Sequence, residues 1–387
     1  MDKILLVKNT ISQAELVDLS KWILTTPRLT KGKLTNKFEE EWSTWLGVDY
    51  SVFVSSGSSA NLAAFYALKL SGKLKNNRVI LPAVSWATTV APAIQLGFEP
   101  ILCDCNMNNY GLDIDHLGEL IDQYDPGLLV AVNVLGFPND YSQIVELCDR
   151  NNMMLIEDAC ESVGSTYDGK RVGTFGHIST FSFYYGHHMS TIEGGMICTD
   201  DEELNIIIRS IRCHGWDRDL PLQKQKSLRE KHNISDFRAF YTFYYPGFNM
   251  RPTDLQAFIG LNQLKRLPDM IFKRDRNFRL YHENNFYKNK PNLCGEEIIS
   301  NFAYPVITDH LEDLIRDLND ASIECRPLIC GSISRQPFWY ERYGTQEMHN
   351  ANIINDKGLY VPNNQDMTEE EIALVVGVLQ NHFRRSL

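Results

Sequence analysis

The 387-residue chain is long enough to bury a sizeable core and to form two domains. Its 43% hydrophobic and 22% charged residues are those of an ordinary soluble globular protein, and a net charge of −11 leaves no basic excess to neutralise nucleic-acid phosphates. The apolar run in MDKILLVKNT is too short for a signal-peptide core, and no apolar stretch approaches the ~20 residues of a membrane span, so neither nucleic acid nor membrane is an expected partner and the cytoplasm is the expected location.

From about residue 50 to 215 strands and helices alternate. SVFV (51–54) precedes a helix over 59–70, with Gly72 as its stop. RVIL (78–81) precedes the helical TTVAPAIQLGF, PILCDC (100–105) precedes LDIDHLGELID, and GLLVAVNVLG (127–136) precedes DYSQIVELCDRNN. MMLIED (153–158), STFSFYY (179–185) and GMICT (195–199) are further strands, followed by the helical DEELNIIIRSIR. Apolar runs this continuous suit strands buried on both faces, so the expected architecture is α/β with a mostly parallel sheet. The nine cysteines are scattered, without a CxxC pair, and read as reduced, mostly buried thiols; Cys103 and Cys105 alternate along one strand, so one faces each side. Beyond residue 220 the polar LPLQKQKSLREKHNISD reads as a surface loop, DLQAFIGLNQLKRLPDMIFKRDRNFRLYHENN as one long helical passage, and the remainder as a smaller α+β domain. The expected division is a large α/β domain over 1–255, then a linking helix and small C-terminal domain over 256–387.

Open α/β sheets bind ligands at the carboxyl ends of their strands, which directs attention to four segments. SSGSSAN (55–61) offers a glycine, small hydroxyls and free helix-start amides that can cradle a phosphate, or simply a helix cap. Trp86 in PAVSWATT is a core residue or a platform for a flat aromatic ligand. Glu157, Asp158 and Glu161 in EDACES form a solvated turn, hold a magnesium ion, or supply one carboxylate for a protonated pyridinium nitrogen. In FSFYYGHHMSTIEGG, Ser182 can add a hydroxyl to a phosphate cup, while His187 and His188 are surface residues, metal ligands or a base. Adjacent residues of an extended segment point opposite ways, which disfavours both rings on one metal and favours one inward base.

A phosphate cup, a stacking aromatic, a carboxylate and a base together make a pyridoxal phosphate site, and over nearly its whole length the sequence resembles the sugar aminotransferase family of fold-type-I pyridoxal phosphate enzymes. SSGSSAN is similar to that family's phosphate loop, PAVSW to its ring-stacking segment and EDACESVG to its carboxylate segment. GTFGHISTFSF and EGGMICTDD resemble the flanks of its catalytic lysine, and CHGW and GFNMRPTDLQAFIGLNQL its later segments. In such enzymes the lysine lies four residues after FSF and six before EGG; counted from Phe183 and from Glu193, both land on His187. Histidine cannot bond covalently to the cofactor aldehyde as lysine does, yet it can move protons near neutral pH.

That replacement resembles the family's 3-dehydratase branch, which removes the 3-hydroxyl of a 4-keto-6-deoxy sugar; the likeness is greatest to its members that act on GDP-linked 4-keto-6-deoxy-D-mannose in colitose formation for lipopolysaccharide O-antigen. The resemblance implies a fold-type-I homodimer using pyridoxal or pyridoxamine phosphate, with L-glutamate as amino donor and a nucleotide sugar as substrate. It implies that Gly57, Ser58 and Ser182 hold the phosphate and that Asn249 reaches it from the neighbouring subunit. Trp86 would stack on the ring, Asp158 pair with its nitrogen, Glu161 lie near it, and His187 transfer protons. His214 and Arg218 would contact substrate or glutamate. A related subgroup carries an iron–sulfur cluster on closely spaced cysteines after the HGW-like segment; here no cysteine follows RCHGWDRDLPLQ until Cys294, so no cluster is expected. The competing functions are an aminotransferase using a different lysine, although none lies between Lys170 and Lys224, and an inactive sugar-sensing homologue.

Overall fold

The structure, a computed structural model, describes residues 3–284 and 297–385; Cys294 lies outside them. Its centre is a seven-stranded sheet built from β1 (Tyr50–Val54), β2 (Arg78–Pro82), β3 (Glu99–Cys103), β4 (Leu128–Val132), β5 (Met154–Asp158), β8 (Ile178–Ser182) and β9 (Gly195–Thr199), in the order β1-β9-β8-β5-β4-β2-β3. A separate hairpin, β6 (Thr166–Tyr167) and β7 (Lys170–Arg171), lies between β5 and β8 in the chain. Strand β9 runs antiparallel to both its neighbours, and the other pairings are parallel. The fold is α/β, as expected, and every residue of β4, β8 and β9 is buried, which explains their unbroken apolar runs. Cys103 and Cys105 enter different apolar clusters, in keeping with their alternation. The eight described cysteines are all free thiols.

Register places the functional segments along one edge. Asp158 ends β5 opposite Val132 of β4 and Thr180 of β8, while Gly195 faces Val54 of β1 on one side and Ser182 of β8 on the other. The chain leaving β1 therefore crosses Gly195 toward Ser182. It can do so only because Gly195 lacks a side chain: a Cβ there would lie 2.3 Å from the Ser56 carbonyl oxygen. The helix that follows, Gly57–Ser71, is capped by the Ser56 hydroxyl and stopped by a left-handed Gly72.

Three expectations need correction. The segment from residue 220 is not a loop: Leu222–Lys231 is a helix entered from Pro221, followed by the short helix Asp236–Ala239. Its Gln, Lys, Leu, Arg and Glu residues are good helix formers, but none is buried, so no apolar stripe betrayed it. STFSFYY stops being a strand at Ser182, and Tyr184–His187 instead form a turn closed by the His187 amide on the Tyr184 carbonyl oxygen at 2.9 Å. The long helix Asp254–Asn284 continues through Pro268. After it, β10 (Ala303–Ile307), β11 (Arg326–Pro327) and β12 (Gly358–Pro362) form a second, antiparallel sheet in the order β10-β12-β11. The N-terminal segment joins this second sheet's neighbourhood, since Ile4 bridges Ile323. Among the described residues no helix is long and apolar enough to cross a membrane.

Candidate active site

The phosphate loop is a tight corner. A Cβ on Gly57 would stand 2.6 Å from Ser182 Cβ and 3.2 Å from Cys160 Sγ, so only glycine lets the helix start lie against Ser182. The Ser56 side chain takes the Ser59 amide. The first-turn amides that a helix leaves without intrahelical partners, the helix dipole and the Ser182 hydroxyl make this an anion cradle. Ser58 is exposed, and its hydroxyl donates to Thr88 Oγ1 at 3.0 Å, tying the cradle to the segment that carries Trp86. Trp86 is 57% exposed at the start of the Ala87–Gln95 helix. An indole that open is a platform and not a core residue.

Asp158 is 3% exposed and fully engaged. Its Oδ2 accepts from Thr89 Oγ1 at 2.7 Å and Asn61 Nδ2 at 2.9 Å, and its Oδ1 from the Cys160 amide at 3.1 Å. Asn61 is itself oriented by Thr180, whose hydroxyl donates to Asn61 Oδ1 at 2.6 Å. Glu157, one residue earlier, points the other way, taking the Gly173, Phe175 and Gly176 amides and Asn133 Nδ2. The two carboxylates therefore do not converge on one magnesium ion. Glu161 accepts the Leu135 amide at 2.8 Å; burial, reinforced by the nearby Asp158 charge, raises its carboxyl to about 7 despite that hydrogen bond. Leu135 holds a left-handed backbone, φ +53°, to present that amide.

The two histidines differ in surroundings, although both rings pack on Phe302, at 5.4 Å for His187 and 6.2 Å for His188. In the turn, strand alternation does not separate them; burial does. His188 is wholly buried, with Nε2 on the Ser300 carbonyl oxygen at 2.7 Å. His187 is half-buried and its Nδ1 has no hydrogen-bond partner. Burial, then the charge of Arg274, lowers the His187 imidazole to about 4 and holds His188 well below its ordinary value.

Three expected residues lie elsewhere in the single chain. Asn249 is exposed, its Oδ1 accepting from Arg251 Nε at 3.0 Å, while the adjacent Met250 carbonyl oxygen takes the Ser55 amide at 3.1 Å. His214, with φ +61°, packs its ring 5.1 Å from Trp216. Arg218 stacks 4.2 Å over Trp216 and also faces Phe240 and Tyr241, at 5.8 and 5.5 Å. None of the three touches Asp158, Trp86 or His187 among the described residues. Sequence reasoning missed the braces Asn61, Thr89 and Thr180, the strained Leu135, and Arg274. Of these only Asn61 carried a signal, lying one helical turn from Gly57 within SSGSSAN.

The residues fit a flat, phosphate-bearing cofactor with a basic ring nitrogen: an anion cradle, an open indole and a braced carboxylate share one sheet edge. Comparison with known proteins agrees. Residues 10–380 match the DegT/DnrJ/EryC1/StrS aminotransferase family. The GDP-4-keto-6-deoxy-D-mannose 3-dehydratases of Escherichia coli O55:H7 and Yersinia pseudotuberculosis are each 34% identical to the chain, covering 92% and 97% of it and 95% and 98% of their own lengths. A crystal structure of GDP-4-keto-6-deoxymannose-3-dehydratase with a trapped PLP-glutamate geminal diamine superposes with a TM-score of 0.89 at 33% identity, over 97% of this chain and 100% of that one.

Proposed function

We propose, from the premise that the chain belongs to the DegT/DnrJ/EryC1/StrS aminotransferase family, that it is a pyridoxal-phosphate-dependent 3-dehydratase of a nucleotide-linked 4-keto-6-deoxy sugar, GDP-4-keto-6-deoxy-D-mannose. L-Glutamate is the amino donor, leaving as 2-oxoglutarate, and ammonia is released with a 4-keto-3,6-dideoxy sugar. The observation that carries this is the substitution of one residue. His187 stands where the family's lysine is expected, while the phosphate cup, Trp86 and Asp158 are all retained.

When bound, the cofactor supplies an amine for the C4 ketone and a sink for electrons. Gly57, Ser58 and Ser182 would hold its phosphate and Trp86 would stack on its ring. Asp158, its charge fixed by three donors, would hold a proton on the ring nitrogen. His187, neutral over the physiological range, would take a proton from the cofactor's 4′ carbon. The imidazolium so formed is a stronger acid than an exposed one, and would give its proton to the departing C3 hydroxyl. Glu161, with a carboxyl near neutrality, would lie beside the ring.

The same reading makes the protein a homodimer with shared sites, in which exposed Asn249 reaches the phosphate of the neighbouring subunit and His214 and Arg218 meet substrate or glutamate. It divides the chain near residue 255, before the long helix leads to the second sheet. An aminotransferase is not favoured, because the 34%-identical relatives are 3-dehydratases and no lysine lies between Lys170 and Lys224. An inactive sugar sensor has no need for a fully braced Asp158. Incubation with glutamate and the GDP-linked ketosugar, followed by mass spectrometry, tests the proposal. Loss of the C3 oxygen with release of 2-oxoglutarate and ammonia is expected; a 4-amino sugar retaining that oxygen would make it an aminotransferase.

A further inference from the structure

Arg274 plays no part in the chemistry above, yet it is a charge that a folded chain does not bury lightly. It lies in the long helix, is 3% exposed, and forms no ion pair among the described residues. Its guanidinium is answered by neutral oxygens only. Nη1 donates to the carbonyl oxygens of Asn301, Phe302 and Asn363 at 3.2, 3.0 and 2.7 Å, and Nε to Gln365 Oε1 at 3.1 Å. Burying a cation without a counter-ion is costly even when every donor is satisfied, so such a group calls for a reason.

The segment it grips is the one on which the histidines rest. Ser300 supplies the carbonyl that binds His188, and the Phe302 ring lies against both imidazoles. The far side of the segment is anchored to Leu135, whose carbonyl oxygen takes the Phe302 amide at 2.9 Å and Asn301 Nδ2 at 2.7 Å. Leu135 in turn donates to Glu161.

We propose that Arg274 is a positioning residue for the proposed reaction: it clamps residues 300–302 beneath the two histidines, and its uncompensated charge keeps the His187 imidazole in the neutral form that a base requires. This rests on His187 being that base. The other titratable groups around His187 are Tyr184 on its own loop and its neighbour His188, while the 300–302 segment contributes Phe302, which carries no charge. The carboxylates at the end of β5, Asp158 and Glu161, act on each other and not on His187. Burial lowers Arg274 itself only to about 10, so it remains a cation at neutral pH.

A purely structural clamp would lower stability when removed and leave the His187 titration alone. The test is an NMR titration of histidine-labelled apoprotein, with the His187 resonance identified by its loss in His187→Asn. In Gln365→Glu no atom is added in bulk, but a carboxylate replaces the amide oxygen that Arg274 already contacts, cancelling its field. The His187 titration should then move up from about 4 toward the ordinary 6.5. At pH 6, a shift that completed that course would leave about one quarter of the imidazole neutral, a loss of base form of up to ~4-fold. Arg274→Lys should keep the low value and Arg274→Met should raise it. An unmoved titration in Gln365→Glu overturns the proposal; so does an equal rise in Arg274→Lys and Arg274→Met, which also decides the matter should Gln365→Glu not fold. Because the apoprotein is titrated, this result is independent of whether the enzyme dehydrates a sugar, which the product assay settles.

Discussion

Around Asp158 both carboxylate oxygens have donors, drawn from Asn61, Thr89 and the Cys160 amide, and one of those donors is itself oriented by Thr180. Around His187 the packing is aromatic, Nδ1 has no partner, and the nearest strong charge is a cation. The difference follows from what each must do. A carboxylate whose charge has to persist is surrounded by dipoles that favour the charged form. An imidazole that must take up and give back one proton is left unbonded, in surroundings that favour neither a hydrogen-bond partner nor a resident proton. Fixed charge is wired; mobile charge is not.

The strongest way to break that contrast is at the wired corner. Asp158→Asn should keep the fold yet lose most turnover, because a neutral amide no longer favours a protonated ring nitrogen, and its NH2 group sets donor against donor at one of three contacts. Circular dichroism and product assay measure the two halves of that expectation; near wild-type turnover would mean the braced charge is not used. Next in size, Gly57→Ala should drive Ser182 and the phosphate loop apart, since the new Cβ would lie 2.6 Å from Ser182 Cβ. Overpacking of this kind costs about 1–3 kcal/mol, and the readout is cofactor affinity by fluorescence titration. Smaller again is Trp86→Ala: an indole 57% exposed adds little to apoprotein stability, whereas loss of one stacking contact should weaken cofactor binding by roughly 2- to 12-fold. Equal losses in stability and affinity would return Trp86 to the core.

The smallest effect sharpens the contrast by pH. Glu161 is raised from 4.5 to about 7, so its charged form is disfavoured in the fold. The folded state then binds more protons than the unfolded one between those values, and its contribution to stability falls as pH rises through them. Glu161→Gln keeps an acceptor for the Leu135 amide and removes the penalty. The variant should match wild-type apoprotein near pH 4 and become progressively more stable than it by pH 7, as followed by urea unfolding. A constant difference across that range would mean that Glu161 is not held near neutrality.

Much of this site is legible in the sequence because local rules place it. Apolar runs gave the strands, small residues and glycine marked the loop that meets a phosphate, and the spacing from FSF to EGG isolated His187. What stayed hidden depends on contacts between distant positions. Asn61 and Thr89 brace Asp158 from 97 and 69 residues away, and nothing in KRDRNFR distinguishes Arg274 from Arg276 or Arg279, which face other partners. The helix Leu222–Lys231 was missed for the converse reason: it buries nothing, so no periodicity recorded it. The separation of His187 from His188 rests on burial in a turn, and the alternation expected of an extended segment is absent there.

The contrast turns on which histidine moves the proton. Purified His187→Asn and His188→Asn proteins, loaded with cofactor and supplied with glutamate and GDP-4-keto-6-deoxy-D-mannose, should be compared for loss of the C3 oxygen by mass spectrometry. His187→Asn should lose at least ~10²-fold in turnover with cofactor still bound, the cost of removing a general base. His188→Asn should keep most turnover and show instead a stability loss of about 1 kcal/mol from its broken bond to the Ser300 carbonyl. If His188→Asn abolishes dehydration while His187→Asn leaves it intact, the assignment of the base is wrong.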